Sequence, residues 1–397
     1  MKRKEVEFYI KCLGNSVLYI IRLISYLVPR NKEKWVVGNA KDFCNNTKYF
    51  FIYAKDVLHK QNCYWISKNK KCRMELRRLG YKAYHPWSLK GLYHLFTAYI
   101  YVYDLRVSAL NFWTSGGAKM VNLWHGVGIK NVEFKRKTNI QHTHARFLEF
   151  LRRPIAFVKP DLFLSTSPLM TTHFSECFRI PESRCIESEY PRCSIFKKTR
   201  KELLQFIETY ESQETKRLIG YIEKSTRCFI YMPTWRETNE DFLQKAGFNL
   251  PALEEVLSER NEIFLFKLHP FTHIKVDTSQ FQHILFLNNR MDIYPILPFT
   301  DVLITDYSSI YYDYLLIPEK EIVLFPFDYE EYIAKERDLA FDFNEYTPGV
   351  RFYSFNELID AIHTGRHFPN TKKKWITDMF WKSNRPENLY EAISSRL

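Results

Sequence analysis

Glycine and proline are scarce in this chain, 12 and 17 of 397 residues. That excludes collagen-like and low-complexity proteins. The eight cysteines contain no C-x-x-C pair, so their spacing gives no support to a structural zinc site. Cys177, Cys185 and Cys193 recur every eight residues, but no metal motif has that spacing. Free thiols in a reducing cytoplasm are the expectation. No secretory signal is expected either: Met1-Lys-Arg-Lys4 is basic, but Lys11 interrupts the apolar stretch and no A-x-A site follows. The longest uncharged runs near the N-terminus, Cys12 to Ile21 and Gly91 to Tyr103, fall short of the roughly 18 to 20 residues that a bilayer requires. There is no internal repeat, no P-loop, no G-x-G-x-x-G and no Asp-x-Asp pair to hold a divalent metal on a phosphate.

What the chain does have is a large apolar fraction and a basic excess. Hydrophobic residues make up 46% and aromatic ones 17%, too many for a disordered protein. The formal charge of +13 points to an anionic partner: nucleic acid, a membrane surface or a phosphorylated substrate. Basic residues are scattered and no nucleic-acid motif occurs, so no nucleic-acid partner is expected. Val6, Ile10, Leu13, Val17, Ile20, Ile24 and Leu27 repeat at helical spacing among Lys2, Arg3, Lys4, Lys11 and Arg22. Residues 1–30 therefore read as a basic amphipathic helix, facing either a core or a membrane interface.

Beyond it, short apolar runs alternate with longer amphipathic stretches. One set comprises Trp35–Gly38, Tyr64–Ser67, Tyr99–Tyr103, Val121–Trp124 and Leu162–Ser165. A second comprises Phe229–Met232, Ile263–Lys267, Ile284–Leu287, Val302–Thr305 and Ile322–Phe325. Runs apolar on both faces and separated by helical segments read as parallel strands of α/β domains. Two sets predict two doubly wound domains, 31–200 and 201–397. The charged, helical stretch 195–227 holds the change between them.

In such sheets ligands bind beyond the carboxyl ends of the strands, and four places there carry chemistry. His125-Gly-Val-Gly128 follows one strand; a neutral imidazole there either takes a proton from an attacking hydroxyl or caps the strand. Pro233-Thr-Trp-Arg236-Glu237 follows another, and Arg236 offers a fork for phosphate oxygens or an ordinary salt bridge. Leu268-His269-Pro270 follows a third. Thr305-Asp306-Tyr-Ser308-Ser309 starts a helix, with Thr305 or Asp306 as N-cap. Its N–H groups and two hydroxyls suit a phosphate, although Asp306 would repel one unless paired or turned away. Together the four suit a diphosphate whose charge is met by protein cations and a helix start, with no metal site and no cofactor.

These segments resemble the CDP-glycerol glycerophosphotransferase family, the enzymes of teichoic acid and capsule backbones. The matching stretches are Leu123-Trp-His-Gly-Val-Gly-Ile-Lys130, Tyr231-Met-Pro-Thr-Trp-Arg-Glu237, Lys267–Pro270 and Leu303–Ser309. Asp313, Phe327-Asp328-Tyr-Glu-Glu-Tyr332 and Pro348-Gly349 follow in the family's order. The resemblance runs from about residue 95 to about 365. It departs at Glu189-Tyr-Pro191-Arg192-Cys-Ser194, where the family has a glycine before Pro-Arg and Asn-Asp after it. It departs again at Arg337-Asp338-Leu339, where the family has arginine-glycine.

The resemblance implies a GT-B fold, two Rossmann-like domains facing across a cleft, the first for the acceptor and the second for a CDP-activated donor. It implies His125 as general base, with Arg236, His269, Thr305, Asp306, Ser308 and Ser309 around the donor. The reaction expected is transfer of a polyol phosphate from CDP-glycerol, or from CDP-ribitol, to a hydroxyl of a lipid-linked glycan or polyol-phosphate acceptor, with release of CMP. The chain would act as a priming enzyme or a polymerase, peripheral at the cytoplasmic face of the cell membrane and touching its anionic surface. A GT-B glycosyltransferase using a nucleotide-sugar is the alternative.

Overall fold

The structure, a computed structural model, describes residues 3–40, 42–136, 150–151, 153–236, 242–269, 276–335, 339–370, 372–382 and 388–397, without the side chains of 3–13, 16 and 335. Two sheets form, and the strand pairings in both are parallel. The first contains β1 (Asn31–Val37), β2 (Cys63–Ile66), β3 (Ala83–Tyr84), β4 (Ala98–Tyr103), β5 (Lys119–Asn122), β6 (Leu162–Ser165) and β7 (Cys185–Glu187) in the order β3-β2-β1-β4-β5-β6-β7. The second contains β8 (Cys228–Met232), β9 (Ile263–Phe266), β10 (Ile284–Phe286), β11 (Val302–Thr305), β12 (Glu321–Leu324) and β13 (Val350–Arg351) in the order β10-β9-β8-β11-β12-β13. Chain order reverses between β1 and β4 and again between β8 and β11, which makes each junction a topological switch point.

The expected apolar runs all become strands. They do so because Val36, Ile66, Tyr101, Phe229, Phe264 and Ile304, among others, are buried on sheets covered on both faces. The strands not foreseen, β3, β7 and β13, are two or three residues long at sheet edges, too short to make an apolar run. β5 ends at Asn122, two residues earlier than its run, because Trp124 takes a left-handed φ of 52°. The aromatic richness is spent in the cores. In the second sheet Phe248 lies 5.3 Å from Tyr231 and 5.3 Å from Phe266, ring centre to ring centre.

The chain divides into two compact units that differ from the expected contiguous halves. The first takes Met1–His125, Val132–Ser194 and Lys382–Leu397; the second takes Gly126–Asn131 and Ile195–Trp381. The C-terminus returns to the first unit for a physical reason. In the helix Leu389–Arg396, Tyr390 stacks on Trp35 at 4.1 Å and 16°. Arg396 Nη1 donates to Cys185 O at 2.8 Å, and Tyr99 Oη donates to Leu397 O at 2.8 Å.

Helix α1 spans Arg3–Leu27. Its last turns dock on the first unit through one face: Arg22 Nη1 donates to Phe112 O at 2.8 Å, Gly116 N donates to Ser25 Oγ at 2.7 Å, and Tyr19 meets Trp113 edge-on at 5.2 Å. The predicted apolar stripe is on another face. Val17 is 64% exposed and Leu27 82%, with Ile20 and Ile24 also exposed, so at these positions the stripe does not face a core. Among the described residues no helix is long and apolar enough to cross a membrane.

One buried histidine couples the first unit to pH. His94 lies between Tyr64 at 3.8 Å and Tyr84 at 4.8 Å, and its Nδ1 has no hydrogen-bond partner. Burial, reinforced by Lys34, Lys82 and Lys90, lowers its pKa from 6.5 to about 4. Over that window the unfolded chain binds a proton that the folded chain refuses, so stability falls as pH drops. His94→Phe removes this contribution. The difference in urea unfolding free energy between wild type and His94→Phe should be constant above about pH 7 and move in favour of the variant between about pH 6.5 and 4. A difference that stays constant throughout contradicts the assignment.

Candidate active site

At the switch point of the second sheet, β8 and β11 run side by side with Met232 opposite Thr305. The Pro233–Arg236 and Asp306–Ser309 segments therefore leave adjacent strands at the same end. Thr305 is buried, and its Oγ1 donates to Met232 O at 2.7 Å, locking the two strand ends together. Asp306 is wholly buried. Its Oδ1 accepts Thr234 N at 2.8 Å, and its Oδ2 accepts Arg236 Nη2 at 2.8 Å. Asp306 thus caps a backbone N–H of the neighbouring loop. The N-cap of the helix Ile310–Tyr314 is Ser309, which makes no side-chain cap bond. The expectation of Thr305 or Asp306 as N-cap is corrected accordingly.

Arg236 is placed differently from a ligand-facing fork. Its side chain is 5% exposed and lies against a second carboxylate, Asp328, with Nε to Oδ2 at 2.8 Å and Nη2 to Oδ1 at 2.8 Å. Nη1 donates to Thr234 O. Tyr307 and Tyr332 stack on each other at 4.0 Å, and both rings lie near the guanidinium, 5.2 and 4.9 Å from its carbon. Burial alone would lower the Arg236 pKa, but Asp306 and Asp328 outweigh it and hold the group charged. Burial first, then Asp306 and Asp328, push the Tyr307 phenol far up, so it stays protonated and donates to Asp328 Oδ1 at 3.2 Å. One guanidinium between two carboxylates leaves the trio one negative charge in excess. Arg236 therefore organises three loops, and its fork is already occupied.

The segment Gly126–Asn131 packs within the same unit. A Cβ placed on Gly128 would lie 3.5 Å from Ser309 Cβ, an ordinary contact, so the protein itself does not demand glycine there. Lys130 Nζ is 3.4 Å from Thr234 Oγ1 and 5.4 Å from the centre of the Tyr332 ring. Ile129 O accepts Ala340 N at 2.6 Å, which ties this segment down. Ser308 and Ser309 are half-buried. His269, half-buried after β9, has its ring 5.5 Å from Trp235. The structure thus brings Arg236 and Asp306 into one bonded cluster, with Thr305, bonded to Met232 O, and Ser308 and Ser309 beside it in the chain and His269 against the neighbouring Trp235. Glu237, Pro270, Arg337 and Asp338 lie outside the described residues.

His125 is the last residue of the first unit before that segment. It lies three residues past the end of β5, and Nδ1 sits 3.2 Å from Asp104 O, just beyond β4. A carbonyl can only accept, so Nδ1 carries the hydrogen and the lone pair of the neutral ring is on Nε2. Of the Asp104 carboxylate, Oδ2 accepts Asn39 Nδ2 at 2.5 Å and Thr47 Oγ1 at 3.3 Å.

Residues missing from the sequence-based site are Asp328 and Tyr307. Asp328 was within reach: it follows β12, and the rule of strand carboxyl ends applies to it as to the others. Among the described residues no group of three or more His, Cys, Asp or Glu side chains is placed to hold a metal ion.

Comparison with known proteins decides the family. Residues 21–382 match the family described as CDP-Glycerol:Poly(glycerophosphate) glycerophosphotransferase. The chain belongs to that family. The match exceeds the 95–365 stretch over which the motifs resemble it. The chain is 26% identical over 385 residues to a teichoic acid poly(glycerol phosphate) polymerase of Bacillus spizizenii, covering 93% of this chain and 92% of that one. It is 25% identical to the teichoic acid ribitol-phosphate polymerase TarK of Staphylococcus aureus, covering 90% of this chain and 65% of that longer one. The solved structure of the wall teichoic acid polymerase TagF, H548A, superposes with a TM-score of 0.72 at 18% identity, covering 100% of this chain and 97% of that one. That likeness gives this glycerophosphotransferase family member the same two-sheet α/β fold. The enzyme is a phosphotransferase, as its motifs imply.

Because Arg236 compensates two buried carboxylates, its removal acts on folding before it acts on substrate. Arg236→Ala should lose about 3–5 kcal/mol of unfolding free energy. Arg236→Lys should recover little of it, since a single ammonium cannot replace bidentate and bridging contacts. A loss under about 1 kcal/mol in denaturant titration would contradict the structural role.

Proposed function

We propose that this enzyme transfers a polyol phosphate, with CDP-glycerol as first-choice donor and CDP-ribitol as second, to a terminal hydroxyl of a lipid-linked glycan or polyol-phosphate chain in cell-surface polymer synthesis. The acceptor oxygen attacks the polyol-bearing phosphorus. The new P–O bond forms as the bond to the bridging oxygen breaks, CMP leaves, and the acceptor proton passes to His125 Nε2. Family membership over 21–382 carries this reading, and the Nδ1 contact to Asp104 O supports His125 as the base. The second unit takes the donor and the first the acceptor, as a GT-B enzyme. Ser308, Ser309, Thr234 and Lys130 line the place for the diphosphate, in a role that the occupied Arg236 leaves to others. The reading invokes no metal and no cofactor. It places the enzyme peripherally at the cytoplasmic face of the membrane. The exposed Val17, Ile20, Ile24 and Leu27 of α1 and the net charge of +13 support attachment to an anionic surface.

The test is a donor panel with membrane lipid extract as acceptor source. CDP-glycerol or CDP-ribitol should release CMP in an acceptor-dependent way, and nucleotide-sugars should release nothing. His125→Ala should lower turnover by ~10² to 10⁴-fold while CDP-glycerol still binds. Release of UDP from a nucleotide-sugar, or normal turnover by His125→Ala, would contradict the proposal.

A further inference from the structure

The backbone before and at His125 is held by side chains from distant parts of the first unit. Trp124 sits at φ 52°, a region that costs a bulky residue about 1–3 kcal/mol and persists only when its surroundings impose it. Three consecutive carbonyls are tied at this turn. Asn46 Nδ2 donates to Leu123 O at 3.0 Å and to Trp124 O at 3.0 Å. Arg192 Nη1 donates to His125 O at 2.8 Å. The two holders are joined to each other, since Arg192 N donates to Asn46 Oδ1 at 3.4 Å and Arg192 Nη1 reaches Asn45 Oδ1 at 3.3 Å. Both are buried, Asn46 at 0% and Arg192 at 2% exposure. On the near side, Asn122 Oδ1 accepts Trp124 N at 2.9 Å, and the indole is wedged among Phe163, Phe174 and Phe178.

We infer that Asn46 and Arg192 are positioning residues for His125. They clamp the carbonyls of the strained turn so that the imidazole keeps Nδ1 on Asp104 O and aims Nε2 at the acceptor hydroxyl. Neither side chain needs to touch substrate. A peptide plane that rotates here turns the ring away, and a displacement of about 1 Å at a catalytic group can cost ~10²-fold. Charge alone does not do this. The holding atoms are a planar amide and one arm of a guanidinium, each matched to a carbonyl direction, so a lysine at 192 keeps the charge and loses the geometry.

The inference rests on His125 as general base, and a double-mutant cycle separates the two claims. In the full-length enzyme, Arg192→Lys and Asn46→Ser should each lower kcat by about 10- to 100-fold. KM for CDP-glycerol should stay within about twofold, and thermal unfolding should remain cooperative. In a His125→Ala background, neither change should lower the residual rate by more than about threefold, because there is no ring left to aim. Full multiplication of the losses in the double variants, or a rise in KM without a fall in kcat, overturns the positioning role while leaving His125 as base. A His125→Ala enzyme with wild-type kcat overturns both. If Arg192→Lys does not fold, the Asn46→Ser cycle decides alone.

Discussion

Arg236 sits where three loops of the second sheet meet, and their arrangement depends on its charge. It follows β8, whereas its partners Asp306 and Asp328 follow β11 and β12, the next two strands in the sheet. Removing three ionised groups from water is expensive, and their mutual attraction offsets that cost only when geometry and extra hydrogen bonds are good. Here both conditions are met: a bidentate pair, a bridging contact, the Thr234 amide on Asp306 and the Tyr307 hydroxyl on Asp328. Such a cluster specifies where the loops lie more than it adds stability. Thr234, held by Asp306, is in turn the residue that meets Lys130. The contact between Thr234 and Lys130 thus traces back to one guanidinium.

The first unit solves a different problem. Its candidate base must present one nitrogen in a fixed direction, and the turn that carries it is held by hydrogen bonds to its backbone carbonyls. Backbone carbonyls, two amides and a buried arginine define the turn, and a carbonyl defines the tautomer. The Asp104 carboxylate is engaged by Asn39 and Thr47, and it is the backbone oxygen of that residue that meets the ring. An imidazole whose Nδ1 donates to a carbonyl keeps the lone pair of its neutral form on Nε2, where a proton can be accepted. This suits a base that must be neutral before each turnover.

Much of this was legible in the sequence. Long apolar runs such as Leu162–Ser165 and Val302–Thr305 coincide with strands because burial on both faces leaves no polar position to disguise them. The four candidate segments all fall at strand carboxyl ends, which follows from parallel topology. Roles were less legible than places. Arg236 reads as a phosphate fork because nothing in Pro-Thr-Trp-Arg says that Asp306 and Asp328, 70 and 92 residues away, will fill it. Asp306 reads as an N-cap because it precedes a helix, yet its oxygens turn to the adjacent loop. The return of Tyr390 to Trp35 depends on shape across 355 residues of chain, which no local pattern records. Asn46 lies in no motif, and Arg192 belongs to a Pro-Arg pair that says nothing of its role, so the carbonyls they hold are what reveal that role.

The proposed reaction has one step at its centre: direct attack of an acceptor hydroxyl on phosphorus, with His125 removing the proton. Its most direct test is the stereochemical course at that phosphorus, followed with a CDP-glycerol made chiral by sulfur and oxygen-isotope substitution on the glycerol phosphate. A single in-line displacement predicts inversion of configuration in the phosphodiester product. Retention would require two displacements through a covalent phospho-enzyme, and would make His125 or another side chain a nucleophile instead of a base.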